Sequence, residues 1–275
     1  MLQYVNFRIT PGDMVSIIGP NAGGKTTLLN ILGGVDQPTS GEVWFDGMEL
    51  LSASDEEIRN IRGARIAHIF QDSLSALHPL YTIGEQIVEA IRAHEKVSHA
   101  EARERAADLL RQVNIDNPRQ RLNAYPHQLS GGMRQRVMIA MALACDPKLL
   151  ICDEPTTALD VTIQKQILEL IKGLQKERNM AVLFITHDLA VVAEITDQVA
   201  VMCPGETLRH FGIGTGKDDD PEYARGGHIV ELGSVADIFT NPQHPYTKGL
   251  IACRPSLKTR SERLPTIEDF LRAES

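Results

Sequence analysis

Nine consecutive residues, Gly19-Pro20-Asn21-Ala22-Gly23-Gly24-Lys25-Thr26-Thr27, constrain this chain more than any others. A glycine, four free positions, a second glycine, a lysine and a hydroxyl residue is the spacing of backbone curled around a phosphate. The context agrees. Met14-Val15-Ser16-Ile17-Ile18 ahead of it reads as a short buried strand, and Thr27-Leu28-Leu29-Asn30-Ile31-Leu32 behind it opens a helix. Glycines let successive N–H groups turn inward, and the helix N-terminus adds its positive end at the same spot. Lys25 is suited to the outer phosphates and the Thr26 hydroxyl to Mg²⁺. The doubled glycine, Gly23-Gly24, adds roughly 0.5–1 kcal/mol of ordering cost, so a functional but looser loop is expected.

Downstream the chain alternates. Asp36-Gln37-Pro38-Thr39-Ser40-Gly41 is a turn cluster, Glu42-Val43-Trp44-Phe45-Asp46-Gly47 a strand closed by Asp-Gly, and Arg65-Ile66-Ala67-His68-Ile69-Phe70 a second strand running into Gln71. From Thr82 to Val113 the period becomes helical. Ile83, Ile87, Val88 and Ile91 mark one face and Ala102, Ala106, Leu109, Leu110 and Val113 another, which reads as a helical insertion between strands. Leu129-Ser130-Gly131-Gly132-Met133 then opens a helix to Cys145, with Ser130 as N-cap, two glycines that leave its start approachable, and Val137, Ile139, Met141 and Leu143 expected inward.

Pro147-Lys148-Leu149-Leu150-Ile151-Cys152 is an apolar strand ending in Asp153-Glu154. Two adjacent carboxylates there are costly to desolvate without a cation or donors. After a helix over Ile163 to Leu174, the strand Ala181-Val182-Leu183-Phe184-Ile185-Thr186 ends in His187-Asp188. The carboxyl ends of strands in open α/β sheets are where ligands bind. Strands are also expected at 199–202 and 228–231, and helices at 235–239 and 247–253. Between Pro204 and Gly227 stand six glycines, Asp218-Asp219-Asp220 and little apolar material, which reads as a mobile surface loop. The Gly212-Ile213-Gly214-Thr215-Gly216 run inside it is too weak for a nucleotide site, and the Asp triplet reads as solvated.

At 275 residues the chain has ample material for a core, and its net charge of −8 argues against general nucleic-acid binding. No apolar run approaches the ~18 residues of a membrane span. The start lacks the basic and apolar regions of a signal peptide, so a cytosolic position is expected. Cys145, Cys152, Cys203 and Cys253 form no Cys-x-x-Cys pair, and neither zinc nor a disulfide framework is suggested.

Gly19–Thr27, Gln71, Leu129–Met133, Ile151–Glu154 and His187, with Ala158-Leu159-Asp160, stand in an order that resembles the ATPase subunits of ATP-binding cassette (ABC) transporters. Ile69-Phe70-Gln71-Asp72, the segment from Tyr125 to Arg136, Asp153 to Thr162, and Asn241-Pro242-Gln243-His244-Pro245-Tyr246-Thr247 look like the oligopeptide, dipeptide and nickel importer subfamily. Gly33 to Gly41 is more similar to lipoprotein-release and macrolide-export ATPases. Export is therefore the alternative within transport, and a soluble cassette ATPase in repair or translation the alternative outside it.

The resemblance implies an α/β P-loop NTPase cassette: a mixed sheet core with an antiparallel β edge and an inserted helical subdomain. It places the ATP-binding core at 1–74 and 147–240, the helical signature subdomain at 75–146, an inserted loop at 203–227 and the importer-type extension at 241–275. It implies that Gly19, Pro20, Asn21, Ala22, Gly23, Gly24, Lys25, Thr26 and Thr27 hold ATP, and that Thr26 and Gln71 ligate Mg²⁺ with Asp153 in support. Glu154 would deprotonate the attacking water and His187 would hold it against the γ-phosphate. Ser130, Gly131 and Gly132 would close over the nucleotide of a second ABC ATPase subunit, with Asp160 at the shared interface. Two multi-span membrane subunits and an extracytoplasmic solute-binding protein are implied as partners, with the chain peripheral on the cytoplasmic face of the membrane and no nucleic acid bound.

Two departures stand out. The family's adenine-stacking aromatic lies upstream of the segment matched by Val5-Asn6-Phe7-Arg8-Ile9, and Tyr4 is misplaced for it. The reading is a shortened N-terminus, with loss of a stack worth ~1–3 kcal/mol weakening ATP binding roughly 5- to 150-fold. Some dipeptide-type relatives hold an iron–sulfur cluster on a cysteine-rich tail, and with Cys253 alone in the end region none is expected here.

Overall fold

The computed structural model of the chain describes residues 2–21, 23–70, 76–157, 159–211, 226–253 and 271. Its main sheet has six strands in the order β4-β5-β6-β1-β7-β8. These are β1 (Met14–Ile18), β4 (Ile66–Ile69), β5 (Leu149–Asp153), β6 (Ala181–Ile185), β7 (Gln198–Pro204) and β8 (Gly227–Ser234). β1 pairs parallel with β7 and β4 parallel with β5, whereas β8 runs antiparallel to β7. A separate hairpin joins β2 (Trp44–Phe45) to β3 (Met48–Glu49) through Asp46 and Gly47, both with positive φ. The expected mixed sheet with an antiparallel edge is therefore present.

The chain divides into two compact units. One comprises residues 1–9, 14–28 and 185–275. Within it β1 is buried along its whole length, because apolar side chains on both faces leave no side for water. Helices α8 (Leu189–Ile195), α9 (Gly205–His210), α10 (Val235–Thr240) and α11 (Pro245–Ala252) surround the β1-β7-β8 strands. Ile18, Val192, Val199, Val201, Leu208, Ile238 and Tyr246 form one buried cluster.

Tyr246 brings the Asn-Pro-Gln-His-Pro-Tyr turn into that cluster. The Glu231 carboxylate on β8 accepts the N–H groups of Gln243 at 2.7 Å and His244 at 3.1 Å, and His244 Nδ1 accepts the N–H of Tyr246 at 3.2 Å. A strand carboxylate thus pins the turn, and the tyrosine ring fills the core behind it.

Within the stretch expected as a surface loop, residues 205–210 form α9, whose Leu208 is buried in the same cluster. Periodicity over six residues is too short to reveal such a helix. The glycine run 212–216 and the Asp triplet 218–220 lie outside the described residues.

The second unit, residues 10–13 and 29–184, holds the helical insertion. α3 (Ile83–His94) and α4 (His99–Gln112) bury Ile83, Ile87, Val88, Ile91, Ala102, Ala106, Leu109 and Leu110, the residues the sequence pattern selects. Thr82 and Glu85 form a reciprocal capping box that fixes where α3 begins. The same device, Ser54 with Glu57, starts α2 (Asp55–Ile61), a helix that apolar periodicity does not announce. α5 (Pro118–Arg121) follows, and α6 (Gly131–Ala142) packs on both α3 and α4. Arg105 pairs with Glu95 through both guanidinium nitrogens and also donates to the carbonyl of Ala144 at 3.1 Å, tying the turn before α4 to the end of α6. The buried face of α6 is Gln135, Val137, Met138, Ile139, Ala140 and Leu143. Met141, expected inward, is half-buried instead, because a 3.6-residue period places 141 nearly opposite 139 and 143 on the helix. No helix among the described residues is long and apolar enough to cross a membrane.

Candidate active site

In the first unit, Gly19–Thr27 links β1 to α1 (Lys25–Leu32). Gly19 sits where a Cβ would lie 2.3 Å from the backbone oxygen of Met202 on β7, so no side chain fits. Gly24 has φ +88°, which only glycine adopts without strain. The N–H of Gly23 donates to the Pro20 carbonyl at 3.1 Å, and the N–H of Leu28 donates to Gly24 at 2.9 Å, the first helical bond of α1. Lys25 is only 8% exposed, and its ammonium donates to the carbonyls of Gly19 at 2.9 Å and Pro20 at 2.8 Å. The amine is thereby curled back over the loop. Asn21 and Thr26 are exposed and Thr27 half-buried. Ala22 lies outside the described residues.

The same unit holds His187. Thr186 Oγ1 accepts the Asp188 N–H at 3.0 Å, and Asp188 Oδ1 in turn accepts the Ala190 N–H at 2.8 Å as the N-cap of α8. These two bonds fix the backbone on both sides of His187, whose ring is exposed just beyond β6.

In the second unit, Asp153 ends β5 and Glu154 follows with φ +45°, a left-handed conformation for a residue with a side chain. Such strain costs roughly 1–3 kcal/mol and collects at functional positions. Thr157 holds the turn. Its hydroxyl donates to Glu154 Oε2 at 2.9 Å and approaches the Glu154 carbonyl at 3.3 Å. Sequence reasoning passes over Thr157, although its hydroxyl three residues after a strand-end acid is the available signal.

Ser130 caps α6 as expected, its Oγ accepting the Met133 N–H at 3.3 Å. Gly131 and Gly132 lie against the start of α7 (Val161–Arg178). A Cβ on Gly131 would meet Leu159 at 3.7 Å, and one on Gly132 would fall 2.7 Å from Ile163 Cγ2. Asp160 caps α7 through the Ile163 N–H at 3.0 Å. The structure thus joins two motifs far apart in sequence, Ser130–Gly132 and Leu159–Ile163. Gln71 lies outside the described residues.

A glycine loop between a buried strand and a helix, on a mixed α/β sheet, defines a P-loop nucleotide-binding protein. The family described as "ABC transporter" matches residues 2–157, and that described as "Oligopeptide/dipeptide transporter, C-terminal region" matches residues 230–273. The chain belongs to the ABC transporter ATP-binding family and is an ATP-binding, ATP-hydrolysing subunit.

Among its relatives, the probable peptide ABC transporter ATP-binding protein y4tR of Sinorhizobium fredii is 49% identical over 97% of this chain and 75% of its own length. The oligopeptide transport ATP-binding protein OppD of Bacillus subtilis is 47% identical over 95% and 68%, and the dipeptide transport ATP-binding protein DppD of Escherichia coli 46% identical over 97% and 76%. Among solved structures, the ATP-binding cassette MJ0796, a dimer in a post-hydrolysis state bound to ADP and Pi, superposes with a TM-score of 0.69 at 31% identity, covering 85% of this chain and 90% of that one.

Proposed function

We propose that this chain is the ATPase of a membrane importer of peptides or similar small solutes, working peripherally on the cytoplasmic face. The observation that carries the reading is the pairing, on one chain, of an ABC cassette match at 2–157 with an oligopeptide/dipeptide C-terminal match at 230–273. The relatives named above, for peptides, oligopeptides and dipeptides, support a peptide-type solute over the lipoprotein-release and macrolide-export reading of Gly33–Gly41.

Each site residue has a role that its chemistry suits. Lys25 and the N–H groups of Gly19–Thr27 hold the β- and γ-phosphates. Glu154 takes the proton of a water attacking the γ-phosphorus as the bond to the β–γ bridging oxygen breaks. His187, on a backbone fixed at both sides, orients that water. Mg²⁺ fits the oxygen donors of Thr26, Gln71 and Asp153, and when bound it neutralises phosphate charge. Ser130, Gly131 and Gly132 face the nucleotide of a second ABC ATPase subunit, identical or related, and Asp160 lies at the interface of the pair. Two multi-span membrane subunits and an extracytoplasmic solute-binding protein complete the assembly.

Affinity purification from solubilised membranes tests this directly. Two multi-span proteins should co-purify with the chain, and peptide delivered by a binding protein should stimulate its ATPase after reconstitution. Recovery with ribosomes or DNA, and no membrane subunit, would contradict the proposal.

A further inference from the structure

The phosphate loop is backed by bare backbone on two sides, both supplied by the β7-β8 ribbon. On one side the Met202 oxygen of β7 lies against Gly19, where a Cβ would come within 2.3 Å. On the other, a Cβ on Gly227, the first residue of β8, would lie 1.9 Å from the Gly23 oxygen, 2.8 Å from the Gly23 carbonyl carbon and 3.4 Å from the Gly24 nitrogen. Nothing in this second contact is a side chain that could swing away.

Gly227 is also fixed from behind. It stands opposite Pro204 in the β7-β8 ladder, and its carbonyl accepts the N–H of Gln3 at 3.0 Å in a bridge with the N-terminal segment. Its neighbour Gly226 accepts the N–H of Gly205 at 2.6 Å. A buried residue held by neighbours on both edges cannot retreat, so its contact with Gly23 sets where the loop N–H groups lie.

We infer that Gly227 is a positioning residue for ATP: the absence of a side chain there lets the phosphate loop close to the geometry that binds the triphosphate. The inference rests on the assignment of Gly19–Thr27 as the ATP site. An ordinary carbon–oxygen contact is about 3.5 Å, so a methyl at 227 displaces the Gly23 carbonyl by more than 1 Å or pushes β8 away from it. Loss of one well-aligned N–H bond to a charged phosphate lowers affinity about 10- to 100-fold.

The test compares Gly227→Ala with Gly233→Ala on the same strand, whose added Cβ meets only Ile238 at an ordinary 3.5 Å. ATP titration should show affinity falling about 10- to 100-fold in G227A and unchanged in G233A. KM for ATP should rise more than kcat falls. G227A binding ATP as wild type does would overturn the inference, and so would an equal loss in G233A. Absence of ATP binding by the wild-type chain would instead overturn the assignment of the loop itself. Should G227A not fold, hydrogen exchange on the wild-type chain decides. ATP should slow exchange at residues 226–231 together with the loop, and unchanged exchange at 226–231 would overturn the inference.

Discussion

Lys25 is hydrogen-bonded back to Gly19, six residues before it, and to Pro20, so its ammonium and the loop backbone define one another. Both bonds are charge-assisted and the amine is nearly buried. Replacing Lys25 with Ala removes the charge proposed to meet phosphate and the two bonds that shape the loop. ATP affinity should fall at least about 10-fold, corresponding to ~1.4 kcal/mol, as read by fluorescent-nucleotide titration. Unchanged affinity would exclude Lys25 from phosphate binding.

Glu154 combines a left-handed backbone with a hydroxyl partner at 2.9 Å. Glu154→Gln keeps the size and much of the hydrogen bonding but cannot take a proton. Single-turnover hydrolysis should slow by about 10²- to 10⁴-fold, with ATP affinity within a few-fold of wild type. Thr157→Val frees the carboxylate from that hydroxyl and should lower turnover by less than Glu154→Gln does. Equal turnover in Glu154→Gln and wild type would remove the base role.

Gly132 admits Ile163 to a contact that any side chain would obstruct. Gly132→Ala should cut steady-state ATPase activity by at least about tenfold while ATP binding at Gly19–Thr27 persists, because in the proposed function the altered surface is the one that meets a second cassette. Adding Ile163→Ala should restore part of the activity by reopening space. If the single variant hydrolyses ATP normally, the close fit has no bearing on turnover.

His68 carries a pH signature. Its ring stacks on Phe70 with centroids 4.1 Å apart, neither ring nitrogen has a hydrogen-bond partner among the described residues, and burial pushes its pKa from 6.5 down to about 4. The unfolded chain takes up this proton near pH 6.5 and the folded chain only near 4, so the residue's contribution to stability declines as pH falls through that window. Urea denaturation at pH 7 and pH 5 should show a smaller loss for His68→Leu than for wild type. Equal losses would mean that the imidazole protonates freely in the folded state.

Local signals made much of this fold legible. Apolar runs located β1, β5, β6 and β7, and the Ile83–Ile91 and Ala102–Leu110 stripes picked the buried faces of α3 and α4. The loop announced itself because its glycines answer to steric limits written in the spacing. What stayed hidden depends on distant partners. The Gly227–Gly23 approach spans two hundred residues and the Gly132–Ile163 contact joins two helices, neither of which leaves a trace in local periodicity. Short helices were missed for another reason. α2, α8 and α9 have six or seven residues each, and α2 is set by a capping box rather than by an apolar stripe.

The central claim is that Gly19–Thr27 of this chain binds the triphosphate of ATP. Isothermal titration calorimetry of the purified chain with Mg²⁺ and a slowly hydrolysed ATP analogue tests it most directly. Saturable uptake of one nucleotide per chain is expected, abolished or strongly weakened in Lys25→Ala and retained in Glu154→Gln. No heat of binding up to millimolar nucleotide, or equal binding by Lys25→Ala, would contradict it.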